Sequence, residues 1–181
     1  MTKKILLIFI VLSFSGCVAW TTLSGRVYQE KGFGFKAEMA ADWMRYSLVP
    51  YFLMTKDGIV LDTIFVERVR FNKKLDHTKK TYFEEMTAEE LAEIEIDNIK
   101  SDDRIDINLI SNRLERVDNR LAFRAEYVEI INETGLKIHA IQYGFIEGKW
   151  IYRIIYKAAE QHYFPLTKGA FERFIETFQV I

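Results

Sequence analysis

The chain has 181 residues, with 25 Lys and Arg against 26 Asp and Glu and a formal charge of −1 at pH 7. A balanced charge leaves no basic footprint, so nucleic acid is not expected as a partner. The single cysteine rules out an intrachain disulfide, and the length predicts one domain large enough to bury a core without one.

Lys3 and Lys4 open the chain, and the apolar run Ile5 to Phe14 follows, then Ser15, Gly16 and Cys17. That order is the order of a secretory signal peptide. The apolar run falls short of the roughly 20 residues a transmembrane helix needs. Phe14-Ser15-Gly16-Cys17 resembles the bacterial lipobox, with Phe14 standing where Leu is usual. The resemblance implies a diacylglyceryl group on the Cys17 sulfur, cleavage before Cys17, and acylation of the new amine by a chain such as palmitate. An ordinary secretion signal and an uncleaved anchor are the alternatives. A lone free thiol on an exported chain would risk intermolecular disulfides, which favours the lipid reading. Several acyl chains anchor stably, since each buried CH₂ adds about 0.8 kcal/mol. Residues 1–16 therefore read as a lipoprotein signal peptide, 17–22 as a short tether and 23–181 as a single α+β domain. In the best-known sorting rule an Asp after the lipidated Cys retains a lipoprotein in the inner membrane. Val18 in that place points to the periplasmic side of the outer membrane in a cell with two membranes. Trp20, in the tether, suits either the lipid headgroups or the domain surface.

Along the domain, Val27 to Tyr28 and Gly34 to Ala37 flank the turn-like E-K-G-F-G and predict a small hairpin. Ala40 to Met44 reads as a loop or short helical turn. Ser47 to Met54 is apolar and ends before Asp57-Gly58, a hairpin signal. Ile59 to Phe71 reads as a long strand with its odd positions on an apolar face. A helix then opens with clear signals. Thr87 and Glu90 form a T-x-x-E capping box, and Met86 can staple onto Leu91. Ala88, Leu91, Ala92, Glu95, Ile96 and Ile99 line one side at helical spacing. Ser101-Asp102-Asp103 ends it.

A meander of strands follows. Ile105 to Asn108 and Asn112 to Val117 read as one interrupted strand, and Leu121 to Ile131, Leu136 to Ile146 and Trp150 to Lys157 as three more. The chain closes with a helix carrying Phe171, Phe174, Ile175 and Phe178 as an apolar stripe. Strands with two segregated helices predict an α+β fold, an antiparallel sheet covered by helices. Leu136 to Ile146 is apolar on both faces. It is therefore expected to be central, with a helix on each side of the sheet.

The element order, with "GFGF", "ADW", "TAEELAEI" and the closing "YFPLTKGAFERFIETFQVI", resembles the PsbP-like family over roughly residues 26 to 180. The resemblance implies a central antiparallel sheet between helical layers, an α/β/α sandwich. It also implies a domain that binds other proteins rather than one that catalyses.

Catalytic signals are sparse. Gly32-Phe33-Gly34-Phe35 lacks the third glycine of a phosphate loop and reads as a turn. His77, His139 and His162 have no second His at i+3 or i+4, so no metal site is expected. No G-x-S-x-G elbow is present, and no cofactor signature. Glu84, Glu85, Glu89, Glu90, Glu93, Glu95 and Asp97 crowd the first helix and its approach. They read as a solvated face with acids favoured near the helix start, or else as an acidic patch for a basic partner or divalent cation. Asn132-Glu133-Thr134 reads as a turn. The aromatics Tyr143, Phe145, Trp150, Tyr152, Tyr156, Tyr163 and Phe164 read mainly as core, and otherwise as a pocket or partner surface. The expected function is a non-enzymatic, lipid-anchored protein that binds an unknown protein partner in the cell envelope. The alternative is a carrier of a small or apolar ligand in a cleft between sheet and helix.

Overall fold

The computed structural model describes residues 19–181. The expected signal peptide, Cys17 and Val18 lie outside the described residues.

The strands are β1 (Trp20–Ser24), β2 (Val27–Glu30), β3 (Phe35–Glu38), β4 (Ala41–Tyr46), β5 (Phe52–Thr55) and β6 (Asp62–Arg70). Helix α1 (Ala88–Lys100) follows, then β7 (Ile105–Val117), β8 (Arg120–Ile131), β9 (Lys137–Glu147) and β10 (Trp150–Ala159). Helix α2 (Tyr163–Thr177) and the short β11 (Gln179–Val180) close the chain. Eight strands form one antiparallel sheet in the order β1-β4-β5-β6-β10-β9-β8-β7, and β11-β3-β2 form a second, smaller sheet.

Local signals account for much of this. The α1 capping box is formed: Glu90 N donates to Thr87 Oγ1 at 3.2 Å, and Thr87 N donates to Glu90 Oε2 at 2.8 Å. Met86 and Leu91 are both buried in the same core cluster. The interrupted strand is one strand, β7, with a bulge between Leu109 and Ser111. Its hairpin to β8 turns on Asp118 and Asn119, both at positive φ, as a two-residue primed turn requires.

Three expectations fail. Ala41–Tyr46 is a strand, not a loop, and β1 begins at Trp20, ahead of the start expected near Leu23. β1 pairs with β4, and β4 also pairs with β5, so both strands are held by cross-strand partners rather than by a local signal. The long strand expected from Ile59 begins at Asp62. Leu61 N and Asp62 N both donate to Gly58 O, which closes a turn and leaves Ile59 and Val60 exposed. Asp62 is buried because its Oδ1 accepts from Thr55 Oγ1, Lys56 N and Asp57 N, which holds the β5–β6 turn. Beyond it, the even positions Ile64 and Val66 are fully buried, because β6 lies between β5 and β10.

Two apolar clusters form the core. One gathers Phe35, Trp43, Phe52, Phe145, Tyr152, Tyr156, Phe171, Phe174 and Phe178. The other gathers Leu91, Ala92 and Ile96 of α1 with Phe123, Ala125, Tyr127, Ala140 and Ile151. Helix α1 packs on β7, β8 and β9, whereas α2 packs on β10, β3 and β6. Strands β7 and β8 therefore run out beyond α2, and this offset creates the cleft described next.

Candidate functional site

A cleft of about 570 Å³ opens between α2 and the overhanging strands β7 and β8. Arg113, Glu115, Arg124, Glu126 and Tyr143 line it from the sheet, and Lys168, Phe171, Glu172 and Glu176 from α2. The strand residues share this face because each strand repeats with period two. Arg113 and Glu115 are two apart on β7, and Arg124 and Glu126 are two apart on β8. Arg113 sits opposite Arg124 in the register.

Within the cleft the charges are paired. Arg113 Nε donates to Glu115 Oε1 at 2.7 Å, and Arg124 Nη2 donates to Glu126 Oε2 at 2.8 Å. Tyr143 Oη donates to Glu115 Oε2 at 2.8 Å. Burial alone would raise the Glu126 pKa, but bonds and attraction from Arg124 and His139 outweigh it and lower the pKa below the usual glutamate value. Glu126 is thus ionised at neutral pH and can only accept. His139 Nε2 lies 2.9 Å from Glu126 Oε1, so that nitrogen carries the proton. The His139 ring stacks flat on Phe164 of α2, with centroids 3.5 Å apart. Burial, then Glu115, pushes the Tyr143 phenol up, so it stays a neutral donor. Burial opposes charge on Arg124, but its bond to Glu126 prevails and its pKa is raised.

The result is a preorganised array of alternating charge. Its carboxylates Glu115 and Glu126 are each paired with an arginine, and the lowered pKa of Glu126 suits it poorly to general acid–base work near pH 7. No thiol or activated hydroxyl is among the lining residues. Ion pairs fixed at a protein surface instead give electrostatic complementarity, which sets the specificity and approach of a partner.

Several solved structures are similar across most of this chain. Cyanobacterial PsbP (CyanoP) from Synechocystis sp. PCC 6803 superposes with a TM-score of 0.62 at 12% identity, covering 92% of this chain and 95% of that one. The fold is PsbP-like. A point variant of the protein Mog1 gives 0.59 at 8% identity, covering 88% of this chain and 97% of that one. A protein from Bacteroides thetaiotaomicron gives 0.56 at 12% identity, covering 88% of this chain but 49% of that one, about half its length. No family profile matches the sequence, and no curated protein sequence is similar to it.

Residues singled out from sequence fall in several places on this PsbP-like fold. Among the histidines, His139 does not line the cleft but holds its Glu126 from behind. His77 Nε2 is 3.5 Å from Asp102 Oδ2, and His162 precedes α2 with its ring edge-on to Tyr163. Among the described residues no group of three or more His, Cys, Asp or Glu side chains is placed to hold a metal ion. "GFGF" is a turn: Gly34 has φ +72°, and its N donates to Glu30 O while Phe35 enters the core. The acidic residues of the α1 region are exposed except Glu95, which is fully buried. Of the late aromatics, Tyr143, Phe145, Tyr152, Tyr156 and Phe164 are buried, while Trp150 and Tyr163 are half-buried. The Arg-x-Glu pairs of β7 and β8 were not singled out from sequence. Like-spaced opposite charges on two successive strands are the signal that marks them.

Proposed function

We propose that this protein is a non-enzymatic lipoprotein of the bacterial cell envelope, anchored through lipid on Cys17, whose domain binds a protein partner at the β7–β8–α2 cleft. In a cell with two membranes it would sit on the periplasmic side of the outer membrane. The observation that carries the partner reading is the cleft's lining. It is open and dominated by paired Arg and Glu side chains, which suits a charged protein surface better than an apolar ligand. The lipobox-like Phe14-Ser15-Gly16-Cys17 supports the anchor. We further infer that α1 and α2 cover opposite faces of the large sheet. Along β10, Ile151 joins the cluster with α1 while its neighbour Tyr152 joins the cluster with α2, as a strand with alternating side chains requires.

The test is native mass spectrometry of the protein extracted from its own membranes in mild detergent. Acyl mass on Cys17 and a co-migrating protein are expected. Reversing the exposed cleft charges, Arg113→Glu with Lys168→Glu, should release the partner and leave the acyl mass in place. A partner that stays bound to this variant would rule out the cleft. A Cys17→Ser protein that remained with membranes after a carbonate wash would rule out the lipid anchor.

A further inference from the structure

At the β1 edge of the large sheet, cross-strand neighbours line up Trp20, Tyr46, Leu53 and Phe65 on one face. The Trp20 and Tyr46 rings lie 4.6 Å apart, and Tyr51 adds its ring 5.7 Å from Phe65. The register carries this row on to Ile155, Gln142 and Ala125, the side on which α1 packs. But α1 sits over β7, β8 and β9, at the other end of the sheet. The β1 end keeps part of its aromatic surface: Leu53 is buried within it, but Trp20 is 40% exposed, Tyr46, Tyr51 and Phe65 are half-buried, and Leu48 stands 65% exposed at the rim.

We propose that this aromatic platform rests on the membrane surface, with Trp20 and Leu48 entering the lipid headgroup region. The proposal rests on the lipid anchor at Cys17 and deepens it. Ser47 N donates to Ala19 O at 3.0 Å, so the platform's rim is fastened to the chain just after the anchor. Cys17 stands two positions before Ala19, and at ~3.3–3.6 Å per residue the chain can carry the lipidated cysteine no more than about 7 Å from it. A bilayer held there lies beside the platform's rim. Trp and Tyr are the residues favoured at that depth, since a ring can be apolar on one side and hydrogen-bonded on the other. The occupant is therefore lipid rather than a second protein. The orientation has a consequence for the cleft, whose strand β7 is the opposite edge of the eight-stranded sheet. Seven strand spacings of ~4.8 Å place it roughly 34 Å from β1, facing away from the membrane and open to a partner.

The test uses the lipidated protein isolated from membranes and reconstituted in vesicles of phosphatidylethanolamine and phosphatidylglycerol. Lipidated Cys17 has no free thiol, so Leu48→Cys takes a single nitroxide label, and its exposure lets the variant fold. Glu172→Cys on α2 is the aqueous reference. The expected result is a higher ratio of oxygen to nickel-chelate collisions at position 48 than at 172, appearing only on vesicles. Position 48 staying as aqueous as 172, on protein that floats with vesicles and carries acyl mass, would overturn the platform and leave the anchor standing. Shielding of position 48 in native membranes but not in lipid-only vesicles would also overturn it, because a protein would then be the occupant. Absence of acyl mass on Cys17 would remove the anchor and the platform with it.

Discussion

Glu95 of α1 and Arg153 of β10 meet inside the protein, Oε1 to Nε at 3.1 Å, with the Glu95 side chain fully buried. The contact is close enough for attraction but is not aligned as a hydrogen bond. Each partner has further support. Arg153 Nη1 donates to Glu67 Oε2 at 2.6 Å, and Gln142 Nε2 donates to Glu95 Oε2 at 2.9 Å. Tyr82 Oη also donates to Glu95. Burial alone would lower the Arg153 pKa, but Glu95, Tyr82 and Glu67 together raise it, so the guanidinium stays charged.

Removing one member of such a network strands the others without solvent. Arg153→Met should cost about 3–5 kcal/mol, because Glu95 and Glu67 lose their shared cation. Urea denaturation at pH 7 measures this, and an unchanged midpoint would mean that the ion pair contributes nothing net. Glu95→Leu added to Arg153→Met should recover part of the loss.

Gly144 on β9 faces Phe123 on β8. A Cβ built at 144 would collide with the Phe123 ring, which is itself buried in the α1 cluster. Gly144→Ala should therefore destabilise by about 1–3 kcal/mol through overpacking. Phe123→Leu in the same chain should relieve some of it, and thermal melts of the single and double variants would show whether the two effects couple.

Asp102, just after α1, accepts from Arg104 Nε at 2.8 Å and Nη2 at 2.7 Å. The Arg104 bond holds its pKa down from 3.8 to about 2, against the opposing effect of burial. A carboxylate with a lowered folded pKa stabilises fully above its unfolded value and loses that stabilisation as pH falls through the folded one. The stability gap between the native chain and Asp102→Asn should thus be constant above pH 3.8 and close toward about pH 2. Denaturation midpoints collected across that window check the sign. A gap that widened on acidification would refute the assignment.

Thr87→Ala removes the side-chain acceptor for Glu90 N and should cost about 1 kcal/mol. Glu90→Ala should cost less, because the Thr87 amide it accepts from is exposed and can turn to water. Equal losses in the two variants would contradict this ranking.

That cap was legible because everything it needs lies within four residues. The α1 apolar stripe was legible from its spacing along one helix, and the strands of the β7–β10 meander from their separate runs of strand-forming residues. β4 was not legible, because Ala41–Tyr46 carries one deeply buried residue, Trp43, and is otherwise held by pairing with β1 and β5. The start of β6 was misread for a related reason: the strand expected from Ile59 begins only at Asp62, which the preceding turn buries as an acceptor. The cleft was missed because Arg124 and Glu126 acquire their role only when β7 is in register beside them and α2 stops short of both.

The amino-acid sequence by itself determined the local architecture: where α1 starts, which late segments are strands, and that α2 brings a stripe of phenylalanines to a sheet. These depend on backbone preferences and side-chain spacing within one or two turns of chain. Tertiary structure alone decided the order of the strands, which acids are buried, and which aromatic side chains stay partly exposed at the β1 edge. Glu93 and Glu95 show the difference. Both belong to the same acidic run of one helix, yet Glu93 is solvated while Glu95 is buried against Arg153. A residue's charge is written in its own side chain, but its solvent is set by partners far away in sequence, and no local pattern encodes where they will be.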